Sequence, residues 1–103
     1  MESLTAAALD VLAERERQKT VEGWTPEHDD EHDGGGLARA AACYAREAAF
    51  DNSWRVEIES LAPKDWPWDH RWWKPKNQRR DLVRAGALIL AEIERLDRAA
   101  KKS

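Results

Sequence analysis

Several kinds of residue are scarce in this sequence, and each scarcity removes a class of protein. There is one cysteine, Cys43, so an internal disulfide framework is excluded. Valine and isoleucine together number seven, too few for a sheet-rich fold. No run of 18 apolar residues exists, which excludes a helical membrane span. No charged-then-apolar leader opens the sequence, so the expected location is a reducing cytoplasm. Tyrosine and phenylalanine occur once each, yet tryptophan occurs six times.

What is present suits one small helical domain over residues 1–103. Of about 43 apolar residues, 17 are alanine, so the core is thin and its helices can approach closely. The net charge of −3 hides a gradient. Residues 1–36 hold three Lys/Arg against ten Asp/Glu, and residues 64–103 hold eleven against six. This pattern favours an acidic end facing a basic end, within one fold or between copies. It does not suit a protein that coats long nucleic acid, which would be basic throughout.

Helical periodicity predicts a first helix over Ser3–Val21, capped by Ser3 or Thr5, with Leu4, Ala8, Val11 and Leu12 as its apolar stripe. The stripe then continues through Arg15, Gln18 and Glu22. Two readings stay open: a helix running into solvent, or a core-facing side that lines a polar pocket. Gly23 ends this helix, and Thr25-Pro26 caps a short acidic one that Gly34-Gly35-Gly36 stops. A further helix is predicted over Leu37–Phe50, with Leu37, Ala41, Tyr44 and Ala48 on one face. Trp54, Val56 and Ile58 alternate briefly. Pro63, Pro67 and Pro75 keep residues 63–76 irregular. The last helix, Asn77–Ala100, repeats Leu82, Gly86, Ile89, Ile93 and Leu96, widened by Val83, Ala85 and Leu90. That stripe is expected to face the core, with Gly86 marking the close approach of another backbone. The fold class is therefore all-α: three main helices and a short one, closed by a Trp/Pro-rich segment.

Three groups of residues bear on chemistry. His28 and His32 lie four apart and could hold Zn, Mn or Fe, but the Glu that a zinc-protease helix places after its first His is Asp29 here. A capped, solvated acidic helix is the plainer reading. The segment Trp66-Pro67-Trp68-Asp69-His70-Arg71-Trp72-Trp73-Lys74-Pro75-Lys76, followed by Arg79 and Arg80, combines stacking surfaces with cations and suits a phosphate-bearing aromatic ligand. The same indoles can plug an Ala-rich bundle, and both roles are expected, divided among Trp66, Trp68, Trp72 and Trp73. Cys43, in an Ala-rich helix beside Tyr44, reads as a buried inert thiol. No catalytic residue is assigned.

The strings Gly23-Trp24-Thr25-Pro26-Glu27-His28-Asp29-Asp30-Glu31-His32, Trp66-Pro67-Trp68, Trp72-Trp73-Lys74-Pro75 and Arg79-Arg80-Asp81-Leu82-Val83 resemble a group of small phage- and prophage-encoded proteins, a resemblance that implies little chemistry. Glu14, Arg15, Gly23-Trp24, Asp29-Asp30 and His32 also fall in the order found in the ryanodine-receptor-type repeat domain. That resemblance implies a nucleotide ligand near Arg15, Trp24, Asp30 and His32. The resulting expectation is a binding protein for a nucleotide-like ligand, a host-defence signal among the options. Arg15, Gln18, Trp24, Asp30, His32, Trp68, Trp72, Trp73, Lys74, Arg79 and Arg80 surround the ligand, with Lys74, Arg79 and Arg80 on phosphate. No cofactor is expected, and a homodimer or higher homo-oligomer is. Two alternatives stand beside it. Glu94-x-x-Asp97 resembles half of the carboxylate signature of MazG-type all-α pyrophosphohydrolases, which would need Mg or Mn. An exposed Trp patch would instead suit an inhibitor of a host protein.

Overall fold

A computed structural model describes residues 3–32, 34–50 and 61–102. It is all-α: α1 spans Ala6–Thr20, α2 Pro26–Asp30, α3 Gly36–Glu47 and α4 Gln78–Lys102, with one 3-10 turn at His70–Trp72. No strand occurs among the described residues. The alternation at Trp54, Val56 and Ile58 lies outside them.

Local chemistry sets the boundaries. The Thr5 hydroxyl accepts from the Ala8 amide at 3.1 Å and starts α1 three residues later than Ser3. Gly23 takes a positive φ of 77° beyond the end of α1. Thr25 accepts from the His28 amide with Pro26 at the first helical position, and the short α2 follows. Gly35, at φ 86°, turns the chain into α3. α3 ends at Glu47, before Phe50, because Ala49 and Phe50 close tighter bonds to the carbonyls of Arg46 and Glu47. The Asn77 side chain accepts from the Arg80 amide at 2.8 Å and caps α4.

α4 is the central element, packed against α3, α1 and α2. Its buried apolar residues are Val83, Ala85, Ala87, Leu88 and Ala91, of which Ala85, Leu88 and Ala91 cluster with Leu37, Ala40, Ala41, Cys43 and Tyr44 of α3. This corrects the expected stripe: Leu82, Ile89, Ile93 and Leu96 are each about half exposed. α4 has two apolar sides, and the small-residue side won the core because alanines allow α3 to lie close. A Cβ on Gly86 would stand 3.2 Å from both methyls of Val11, so the close neighbour there is a side chain of α1, not a backbone.

α1 keeps Ala8 and Val11 half-buried on its inward side but buries polar residues more deeply than leucines. Leu4, Leu9 and Leu12 are exposed, while Glu14, Arg15 and Gln18 are buried. The polar continuation of its stripe is the inward side, so the solvent reading is wrong. The acidic N-terminal third does face basic α4: Asp10 pairs with Arg79 at 2.8 Å, Glu14 with Arg80, and Asp30 with Arg98 at 2.8 Å. No helix among the described residues is long and apolar enough to cross a membrane.

Candidate functional site

Arg15 is the hub beneath the site. Its Nη2 donates to Asp29 Oδ2 at 2.9 Å and to Glu94 Oε1 at 2.9 Å, and its Nη1 donates to the Trp24 carbonyl at 3.3 Å. One buried guanidinium thereby ties α1, the Gly23-Trp24 turn, α2 and α4 together. The Trp24 amide donates to the Gln18 carbonyl at 2.9 Å and fixes that turn from the other side. Beside it, Glu14 accepts from Arg17 at 2.7 and 2.9 Å, from Gln18 at 3.2 Å and from Arg80. Burial pushes the Glu14 carboxyl up, yet the Arg17 hydrogen bonds and the Arg17 and Arg80 charges outweigh it and hold the group below its ordinary value. For Asp29 the balance is reversed: burial outweighs Arg15, and its carboxyl is raised.

Over this polar layer runs a chain of aromatic contacts. Trp73 stacks on Tyr44 with ring centres 4.7 Å apart. Trp66 meets Tyr44, Trp73 and Trp68 edge-on at 5.6, 5.0 and 5.4 Å. Trp68 continues to Trp24 and to His32, each at 5.4 Å, and His32 meets His28 at 4.6 Å. The Tyr44 hydroxyl accepts from the Lys74 amide at 3.1 Å and donates to the Trp72 carbonyl at 3.4 Å, so α3 holds the Trp segment in place. Trp66 and Trp73 are buried, and Trp68 is half-buried.

The outer end of this chain opens into a cavity of about 310 Å³ lined by Glu22, Trp24, His28, His32, Trp68, Asp69 and Trp72. Its size is at the lower end of the range for small-molecule sites. Arg71 and Lys74 each lie 5.4 Å from the Trp72 ring, so the indole that walls the cavity also carries two cations. A smaller cavity of about 30 Å³ shares Glu22, Trp24 and Trp72 and reaches inward to Gln18, Tyr44 and Arg84. That is room for one water or one polar ligand group. Gln18 Oε1 is buried without a hydrogen-bond partner, an acceptor left open at this inner end. Burial, with the neighbouring His28 second, holds the His32 imidazole below its ordinary value, which favours a neutral ring.

The predicted site residues therefore divide. Trp24, His32, Trp68 and Trp72 line the main cavity, while Gln18 and Lys74 line the inner one. Trp73 is a core plug. Arg15 lies below the site, consumed by carboxylates, and Asp30 faces Arg98. Arg79 and Arg80 are spent on Asp10 and Glu14 and line neither cavity, so the expected three-residue phosphate grip is not assembled. Of the other lining residues, Glu22 was expected only as part of the polar continuation of the α1 stripe, His28 only as a metal candidate, and Asp69 not as a ligand contact. The Asp69 side chain caps the 3-10 turn by accepting from the Arg71 amide at 2.9 Å. An Asp two residues before an Arg in a Pro-flanked segment was the available signal for that turn.

The His28 and His32 Nε2 atoms stand 3.4 Å apart. Among the described residues, no group of three or more His, Cys, Asp or Glu is gathered closely enough to hold a metal. Glu94 is engaged by Arg15, Glu14 by Arg17 and Arg80, and Glu16 by Lys19. Cys43 is buried, and burial, with Asp65 next, pushes its thiol up. Comparison with protein-family models, curated proteins and solved structures finds no match for this chain.

Proposed function

We propose that the chain binds a nucleotide-like ligand without turning it over. The base would lie among Trp24, Trp68 and Trp72 and the phosphate at the Arg71–Lys74 rim. The observation that carries this reading is the cavity itself: three indoles and two imidazoles around about 310 Å³, with Arg71 and Lys74 over the ring of one of those indoles. Stacking on indole is worth about 1–3 kcal/mol per base. The Glu22 and Asp69 carboxylates offer acceptors to ring and exocyclic N–H groups, which purines and cytosine supply. Gln18 Oε1 adds an acceptor at the inner end. Phosphate would sit in the open, on Arg71 and Lys74, where Arg79 and Arg80 had been expected. A tight binder with this lining would act as a sink for a signalling nucleotide.

The test is calorimetric titration with nucleosides, linear mononucleotides and cyclic mono- and dinucleotides. The reading expects a member of this panel to bind at micromolar affinity or better, with Trp72→Ala weakening it on the order of tenfold. Folded protein that binds none of them would refute it.

A further inference from the structure

Among the described residues, the second apolar side of α4 is left half exposed. Leu82, Ile89, Ile93 and Leu96 are 52, 48, 49 and 53% exposed and stand in one row along its outer surface. The row lies between two grooves. One, of about 240 Å³, is floored by Ala38, Ala41, Ala42 and Ala45 of α3. The other, of about 370 Å³, runs between α1 and α4 past Val11 and Leu90. The Trp segment and α2 cover the opposite side of α4, where Arg98 and Glu94 reach Asp30 and Arg15. Contiguous exposed apolar patches mark interaction surfaces.

We propose that this face pairs with the same face of a second copy about a two-fold axis, with the two α4 helices antiparallel and crossing at Ile89. The spacing of the row supports self-pairing. Leu82 lies seven residues before Ile89 and Leu96 seven after it, so an antiparallel copy sets Leu82 of one chain against Leu96 of the other and Ile89 against itself. Shape agrees: a ridge of Ile89 and Ile93 beside an alanine-floored groove is a knob next to a hole, which is what an isologous interface needs. Charge agrees as well. The row is uncharged, and the flanking Glu92 is paired with Arg95 at 2.5 Å. The molecule measures 47 × 38 × 22 Å, and a broad side of this slab has room for the ~800 Å² per partner that a stable interface buries.

Sedimentation equilibrium of the full chain at tens of micromolar should give twice the 11.8 kDa chain mass. Ile89→Glu should return it to 11.8 kDa with unchanged helical circular dichroism, since the site is half exposed in the single chain. In a Cys43→Ala background, Ile89→Cys should form a disulfide between copies under mild oxidation, and Leu82→Cys should do so only when combined with Leu96→Cys. A folded monomer for the unaltered chain would overturn the proposal. So would a dimer indifferent to Ile89→Glu, or a folded Ile89→Cys dimer that does not cross-link. Anionic vesicles or another protein binding this face of a monomeric chain would count the same way.

Discussion

Arg15 and Asp29 form a buried ion pair at 2.9 Å, with side chains 4% and 0% exposed, and the candidate cavity is built on top of it. It ties the Gly23-Trp24 turn and α2 to α1 and α4, together with the Trp24–Gln18 backbone hydrogen bond and the Asp30–Arg98 pair. The raised Asp29 carboxyl says that burial costs more than Arg15 returns. The pair therefore contributes geometry more than net stability.

Removing one partner should show that cost. Arg15→Met leaves Asp29 buried and unpaired and should lower the unfolding free energy by about 3–5 kcal/mol, measured by urea denaturation. The double change Arg15→Met with Asp29→Leu should recover most of it. Equal destabilisation in single and double variants would contradict this account of the pair.

Acid should lower the stability of the protein over two pH ranges. The His32 imidazole is held below its ordinary 6.5, so the unfolded chain takes up that proton first. Its contribution is complete above pH 6.5 and declines as the pH falls below that value. The Glu14 carboxyl is held below 4.5, so its contribution is intact above pH 4.5 and is lost below it. Asp29, raised above 3.8, opposes this, since lowering the pH through its folded value relieves a buried charge. The urea midpoint should fall between pH 7 and pH 5, and His32→Gln should flatten that part of the curve.

Gly86 tests the contact between α1 and α4. Alanine there would gain up to about 1 kcal/mol of helix propensity, against a Cβ 3.2 Å from the Val11 methyls. Val11 borders an open groove and can give way by a few tenths of an ångström. Gly86→Ala should therefore raise the melting temperature slightly, and adding Val11→Ala should remove the conflict and couple the two sites in a double-mutant cycle. A loss of stability with Gly86→Ala that Val11→Ala does not relieve would place the strain elsewhere.

Much of the fold was legible in the sequence because local chemistry decides it. Thr25-Pro26, Gly23 and the face of Leu37, Ala41, Tyr44 and Ala48 do in the structure what their residue types dictate. The core side of α4 was not legible, because two apolar sides compete on that helix and periodicity reads the larger residues first. The choice of Ala85, Leu88 and Ala91 depends on how closely α3 can approach. The indole wall was visible as composition at Trp24, Trp68 and Trp72, whereas its partition from Trp66 and Trp73 depends on Tyr44. The fate of Arg79 and Arg80 hung on Asp10 and Glu14, about 70 residues away in the chain, and such pairings carry no local signal.

The central claim is that the cavity walled by Trp24, Trp68 and Trp72 receives the base of a nucleotide. Indole N–H resonances in an ¹⁵N-labelled sample, followed during nucleotide titration, test it most directly, because each of the six tryptophans reports separately. The account predicts saturable shifts at Trp24, Trp68 and Trp72, with Trp66 and Trp73 moving little. Saturable binding that leaves those three signals in place, or no binding by a folded sample, would contradict it.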